Sequence, residues 1–461
     1  MKARELANLG VPKGETMKSA IEACKTAAKA TPGVGRKALR ETVTALVADP
    51  DRHKTDAIWG TLATAIADLR AARQLYIPRE EPASWKQWGT DLEPSAVEQL
   101  HNACQLPVAI AGALMPDAHQ GYGLPIGGVL AADNAVIPFA VGVDIACRMK
   151  LTVLDLPVSA ITGQRDRLAN ALKAETFFGV GAGNQGKRQH DVMDEDWSVT
   201  SVTAGLKDRA ARQLGTSGSG NHFAEFGTLT LEQDDLGLAA GIYVALLSHS
   251  GSRGTGAGVA EHYSKLAMSL HRELPQELAR LAWLDLDSEP GQEYWLAMEL
   301  MGRYAAANHE LIHNHVAKHL GTDVLLDIEN HHNFAWKETH DSREVIVHRK
   351  GATPAGKGVL GIIPGSMGTA GYIVRGRGNA KSLLSASHGA GRKMSRTAAK
   401  KAFTWHEAKK FLTERNVELI SAGLDEVPMA YKDIDTVMAA QADLVEPVAR
   451  FDPRLVRMAP S

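Results

Sequence analysis

Cysteine, histidine, aspartate and glycine recur in this chain in short groups whose make-up suits metal and phosphate chemistry. VGVDIACRMK sets Asp144 three residues before Cys147, just after a strand-like run, and GTSGSGNHFAEF sets Asn221, His222 and Glu225 behind a Gly/Ser loop. LLSHSGSRG ends an apolar run on His249 with Arg253 close behind, and ENHHNFAWKE offers His331, His332 and Asn333 after another. One thiol, one carboxylate and three imidazoles form a borderline-soft donor set, suited to Mn, Zn, Co or Fe rather than Mg. Two ions sharing the thiolate fit phosphoryl chemistry, where paired metals clamp the attacking and leaving oxygens. Each residue also has an ordinary reading, because a Cys among apolar neighbours is usually inert core. The spacing matches no regular zinc-finger or HExxH pattern.

The stretch from Ile363 to Arg396, IPGSMGTAGYIVRGRGNAKSLLSASHGAGRKMSR, holds one histidine, His388, among small residues and just ahead of Arg392, Lys393 and Arg396. From Arg343 to Lys401 there are twelve Lys or Arg against one acid, Glu344. A Gly-rich cationic segment around an imidazole suggests a phosphate site. MPDAHQG (115–121) is either a loop with a functional Asp–His pair or a turn held by Asp117. The histidines at 309, 313, 315 and 319 have i,i+4 spacing suited to a metal, but no carboxylate or Gly-built pocket accompanies them. A polar helix face is the preferred reading there.

Those groups need elements to hold them. Residues 14 to about 75 read as helical, with apolar residues at helix spacing in MKSAIEACKTAAKA and TDAIWGTLATAIADLRAARQ. TPGVG at 31–35 breaks one helix from the next, and IPREEPASWKQWGT reads as a linker. From about Asp91 the pattern is mixed α/β: GIYVALLSHS (241–250), VLLDIE (324–329) and EVIVH (344–348) read as strands, and about Gln292 to Leu320 as the longest helix. The expected organisation is a helical extension over 1–85 and one interlocked α/β unit over 86–461.

Composition narrows the class. The chain has 461 residues, 44% apolar and 23% charged, as expected of a globular protein with a sizeable core. A net charge of −2 excludes a chain basic throughout, so any polyanion site is a patch. Three widely spaced cysteines without a CxxC argue for a reducing compartment. MKARELANLGVPKGE lacks a signal-peptide core and no apolar run is long enough to span a bilayer, so the expected location is the cytoplasm.

In order along the chain stand MPDAHQGYGLPIGG, AVGVDIACRMK, GTSGSGNHFAEF, LSHSGSRGTG, HHNFAWKE, HRKGAT, IPGSMGT, SHGAGRKMSR and YKDIDTVMAAQADLVEPVA. Together they resemble the RtcB family of RNA ligases over about 91–460. The resemblance implies an α/β (α+β) fold with central sheets, flanking helices and a dinuclear Mn site in a basic cleft. It implies joining of RNA 3′-phosphate or 2′,3′-cyclic phosphate ends to 5′-hydroxyl ends with GTP. Asp144, Cys147, His222, His249 and His332 are the implied metal ligands, for two Mn ions with Zn or Co as alternatives. His388 is the implied nucleophile that takes GMP. Asn221, His222, Phe223, Ala224 and Glu225, His332 and Asn333, Pro364, Gly365, Ser366 and Met367, and His388, Gly389, Ala390 and Gly391 are the implied guanylate pocket. Arg253 and Arg392 would face RNA phosphates. The implied partners are RNAs with broken or spliced ends and an archease-like activator, with the protein a monomer or homodimer.

Three departures follow from the same comparison. Position 371 is Gly where the family often has Ser, and Met458 stands where members carry a Lys near the guanine, with Arg457 a substitute if the tail shifts by one residue. The helical extension is not part of the usual core, and reads as a packing or dimer element before an RNA-binding one. They suggest a divergent member used in RNA repair. The alternatives to a ligase are a metal-dependent cyclic phosphodiesterase and a non-catalytic RNA-binding paralogue.

Overall fold

The computed structural model describes residues 1–12, 15–31, 34–74, 78–184 and 186–460, without the side chains of 71–74. It divides into two compact units, Met1–Pro78 with Ser269–Ala279, and Arg79–Met268 with Arg280–Ser461. The first contains the helices Ala3–Asn8, Glu15–Ala30, Arg36–Ala48 and Gly60–Gln74. The second and third are amphipathic and each buries one stripe: Ala20, Ala23, Cys24 and Ala27 on the second, Leu39, Val43 and Leu46 on the third. With Leu6, Trp59 and Leu62 they close a core of their own. Part of the expected TPGVG break lies outside the described residues.

The second unit is built on two sheets. Five strands run in the order Ser84–Gln87, Ala109–His119, Ile126–Ala132, Arg343–Lys350 and Asn333–His340. Ser84–Gln87 lies parallel to Ala111–Leu114, so the expected linker contributes a strand, and the expected boundary at 85/86 falls inside it. The larger sheet has eight strands, in the order Leu360–Ile363, Gly371–Gly376, Val445–Met458, Phe223–Leu231, Gly241–Ser250, Arg148–Leu154 and Val324–His331, with Glu418–Ser421 added beside Val445–Met458. It curls until its edges meet. The Asn330 side chain accepts from the Ile362 N–H at 2.9 Å and donates to Thr353 Oγ1 at 2.6 Å. Met149, Leu151, Leu247, Ile328, Ile362 and Phe451 fill the inside of the curl. The opposite face, through Ala224, Phe226, Val244 and Leu246, packs on Leu168 and Leu172 of the Arg165–Glu175 helix and on Val316 and Leu320 of the Glu289–Leu320 helix.

The expected strands and the long helix are all present, within a few residues at their ends. The helix begins where the Ser288 side chain accepts from Gly291 N–H, and ends at Gly321, whose φ of +56° is the left-handed stop that glycine favours. Asp144 and Cys147 do not follow a strand as expected: one helical turn, Pro138–Val141, precedes them and the strand begins at Arg148. Among the described residues no helix is long and apolar enough to cross a membrane.

Candidate active site

Four adjacent antiparallel strands bring the metal-ligand candidates to one end of the large sheet. Neighbours in an antiparallel sheet alternate direction, so the start of Phe223–Leu231, the end of Gly241–Ser250, the start of Arg148–Leu154 and the end of Val324–His331 coincide. The register sets Phe223 and Met149 opposite His249, and Arg148 opposite His331. His222, Cys147 and His332 each sit one residue beyond those strand ends. Asp144 joins them through a turn in which its carbonyl accepts from the Cys147 N–H at 3.2 Å, which is why a spacing of three puts both side chains together. Ala146 within that turn holds φ at +56°, a strained setting for a residue with a Cβ.

Cys147 Sγ lies 3.0 Å from His249 Nε2 and 3.3 Å from His222 Nε2. His249 Nε2 is 3.2 Å from His332 Nε2, and His222 Nε2 is 3.1 Å from an Asp144 oxygen. Two overlapping trios result, Cys147–His249–His332 and Asp144–Cys147–His222, each with donor atoms within 4.8 Å of one another and with the thiol in common. The donor set fits a pair of borderline-soft ions. His249 Nδ1 faces the Asn221 carbonyl at 3.1 Å and so carries the proton, leaving Nε2 bare toward the thiol. Burial holds His249 and His332 well below the usual imidazole range, hence uncharged, and burial with the nearby Asp144 pushes the Cys147 thiol well up. Burial alone would raise Asp144, but its hydrogen bond to His222 and the charge of Arg253 hold it low. His331 is not one of the group: it stacks on Trp336 and accepts from Arg148 Nη2 at 3.2 Å.

A cleft of about 1050 Å³ opens over these residues, at the upper end of small-molecule sites. Its lining includes Asn221, His222, Phe223, Glu225, His332, Asn333, Pro364 to Met367 and His388 to Gly391. Ala224 is the exception among the expected pocket residues. Strand alternation turns it to the opposite face, where it packs near Leu168 and Leu172. Burial alone pushes the Glu225 carboxyl well above the usual range. Met367, Val456 and Met458 make an apolar wall with Phe223.

His388 is anchored from behind. Its Nδ1 donates to Asp117 Oδ2 at 2.7 Å, and the same oxygen accepts from the backbone N–H of His388 and Gly389 at 3.1 and 3.3 Å. Burial works against ionisation of Asp117, but the interactions with His388 outweigh it and hold the carboxyl low. Gly391 is required here: its φ is +73°, and a Cβ would lie 2.1 Å from the Asp117 carbonyl. The Asp–His pair suspected in MPDAHQG exists, but its histidine is His388, 271 residues away, rather than His119.

The arginines are already engaged by the protein. Arg253 is buried, with φ at +58°, and reaches His222 Nδ1 at 3.0 Å and an Asp144 oxygen at 3.5 Å. Arg392 donates to Glu426 at 3.0 Å and to the Asp425 carbonyl at 2.7 Å. Arg396, half-exposed, shares Glu426 at 3.3 Å. Acids outside residues 343–401 also meet Arg343, Arg349, Arg375 and Arg377, so the cationic excess of that stretch is largely internal pairing rather than one patch. Arg457, the expected substitute at the guanine, points out of the cleft and donates to the Leu172 and Thr176 carbonyls at 2.6 and 3.0 Å. At Gly371 a Cβ would stand 3.1 Å from Pro364 Cα, so a Ser there needs the Pro364 turn to yield.

The helix histidines divide in two. His315 and His319 lie on a partly exposed face, 3.6 and 3.1 Å from Glu175. His309 and His313 are wholly buried, which corrects the polar-face reading: Ser248 Oγ bridges them at 2.9 and 2.8 Å, and Thr152 Oγ1 meets His313 at 2.6 Å. These two, with His348 near 4 and His331 near 3, are held below the ordinary value by burial. The unfolded chain takes up protons near pH 6.5 and the folded chain does not. Stability is therefore full above that pH and falls as pH drops toward the folded values, by up to about 1.4 kcal/mol per pH unit for each such histidine. Melting in EDTA is expected to show a midpoint falling steadily from pH 7 to pH 5; a flat midpoint would contradict this account.

Two trios that share a thiol lie beneath a carboxylate-anchored histidine, a donor set suited to holding metal ions. The family model described as tRNA-splicing ligase RtcB matches residues 99–459, and the chain belongs to that family. The chain is 36% identical over 398 residues to the RNA-splicing ligase RtcB of Escherichia coli K12, covering 79% of this chain and 95% of that protein. It is 33% identical over 437 residues to the tRNA-splicing ligase RtcB of Nanoarchaeum equitans, covering 78% and 91%. With the tRNA-splicing ligase RtcB of Thermococcus kodakarensis it shares 30% over 433 residues, covering 77% and 89%.

Sequence reasoning missed Lys350, Tyr122, Arg280 and Glu426, all of which line the cleft. HRKGAT and HQGYG carried a signal for the first two. Nothing in the sequence marked Arg280 or Glu426.

Proposed function

We propose that this protein is an RNA ligase that joins a 3′-phosphate or 2′,3′-cyclic phosphate end to a 5′-hydroxyl end through guanylate carried on His388. The observation that carries the reading is the anchoring of His388 Nδ1 by Asp117, which leaves Nε2 as the free nitrogen in the cleft above His332. The Nε2 lone pair forms a bond to the α-phosphorus of GTP, the α–β bridging bond breaks, and pyrophosphate leaves. A 2′,3′-cyclic end is first opened by water, which breaks the P–O2′ bond and leaves a 2′-hydroxyl and a 3′-phosphate. An oxygen of the 3′-phosphate then attacks the phosphorus on His388 and the P–N bond breaks. The 5′-hydroxyl attacks the activated RNA phosphorus, loses its proton and expels GMP. Two Mn ions at the trios, or Zn or Co, would supply Lewis-acid stabilisation of the phosphoryl oxygens.

Glu225 supports guanine as the base. A buried carboxyl facing the cleft suits the N1–H and exocyclic amine of guanine, an edge adenine lacks. With Met458 in place of a lysine and Arg457 turned away, Glu225 carries this selection with less help than in the family pattern. The test is mass spectrometry of the protein after incubation with each nucleoside triphosphate and Mn. The expected result is an acid-labile GMP adduct on the peptide containing His388. No adduct with any divalent metal overturns the proposal, and opening of cyclic phosphates without GTP would favour a phosphodiesterase.

A further inference from the structure

Tyr122 is an exposed aromatic on a loop that has no freedom to hide it. The side chain of Gln99 takes both backbone groups of Gly121, donating to its carbonyl at 2.7 Å and accepting from its N–H at 2.9 Å. Glu93 accepts from the Gln120 N–H at 2.9 Å, and Lys350 Nζ donates to the Tyr122 carbonyl. Three consecutive residues are thus fixed by side chains from elsewhere in the unit. Even so, the Tyr122 side chain stays 61% exposed, while most large apolar groups of the chain are buried.

The ring's setting is that of a recognition surface. The Arg280 guanidinium lies 4.5 Å from its centroid and 5.8 Å from that of Phe139, covering the ring with a cation. Tyr122, Arg280, Lys350 and His388 all line the same cleft. Lys350 precedes Gly351, where an added Cβ would be 3.1 Å from His388 Cε1, so the loop is tied to the wall beside that histidine. Lys350 itself is buried without a carboxylate partner among the described residues and donates to the Tyr122 carbonyl.

We propose that Tyr122, backed by Arg280, is a stacking platform for a nucleobase of the RNA end held in the cleft. This rests on the RNA-ligase reading above. A rigid aromatic with one face open suits single-stranded RNA, because every base offers a π-face and an ordered ring loses little entropy on binding.

The test uses RNA ends carrying 2-aminopurine at successive positions near the junction. With the wild-type protein one position is expected to be quenched on binding. Tyr122→Leu should lose that quenching and raise the ligation KM for RNA by roughly tenfold to a hundredfold, the range of base–aromatic stacking. Tyr122→Phe should retain both and Arg280→Gln should weaken both. Unaltered quenching and KM in Tyr122→Leu overturn the platform, as does Tyr122→Phe failing as badly as Tyr122→Leu. Absence of the GMP adduct in the wild type would instead be a failure of the ligase reading, since quenching on binding needs no catalysis.

Discussion

Asp117→Ala is expected to slow guanylylation by on the order of 10³-fold or more, nearly as far as His388→Ala, which removes the attacking nitrogen. A buried carboxylate that fixes an imidazole's tautomer and orientation is worth rate factors of that order. Here Asp117 Oδ2 also accepts from two backbone N–H groups, so its loss frees the loop as well as the ring. Asp117→Asn separates the two effects. Its amide oxygen can take the Oδ2 position and keep all three donors. Its amide nitrogen then falls at Oδ1, which has no hydrogen-bond partner among the described residues. The tautomer is kept and the charge is lost, exchanging a charge-assisted hydrogen bond for a neutral one at a difference of about 1–2 kcal/mol. Asp117→Asn should therefore lie roughly 5- to 30-fold below wild type. Single-turnover adduct formation, followed by mass on folded protein, reads all three rates. An alanine variant guanylylated at the wild-type rate would remove Asp117 from the chemistry.

The sequence told more about ingredients than about partnerships. The Gly241–Ser250 strand was legible because a continuous apolar run ending at a Gly-rich turn needs no distant partner to be recognised. Ser84–Gln87 was not, since SWKQ is mostly exposed and becomes a strand only by pairing with 111–114. The burial of His309 and His313 depended on Ser248 and Thr152 from two other strands, information that helix spacing does not hold. Charge was misread for the same reason. Counting along the chain found an excess of cations, but their acids lie outside the counted stretch, at Glu338 just before it and at the distant Asp133, Asp235 and Glu446. By contrast, all five candidate ligands converge, because strand ends in an antiparallel sheet are common ground. His222, Cys147 and His332 just past three of those ends, and His249 within the last two residues of the fourth strand, can only be near one another.

That convergence makes Cys147 the residue on which the proposed metal centre would turn. It is the only member of both trios, so Cys147→Ser is expected to lose both ions, whereas His332→Ala should lose mainly the one it holds with Cys147 and His249. Losing the paired ions removes several kcal/mol of charge stabilisation, so ligation should fall on the order of 10³-fold or more. Metal analysis after dialysis of the two variants reads this directly. If each lost a single ion, the thiol would not be shared. The pH dependence of loading gives an independent check with a definite sign. Burial and the Asp144 charge raise the Cys147 thiol, so the metal-free protein carries that proton at neutral pH. Loading must expel it, and affinity should rise with pH by as much as about tenfold per unit while the free thiol stays protonated. In Cys147→Ser the hydroxyl gives up no such proton near neutrality, so whatever loading is forced at high metal concentration should lack the part of the slope due to the thiol.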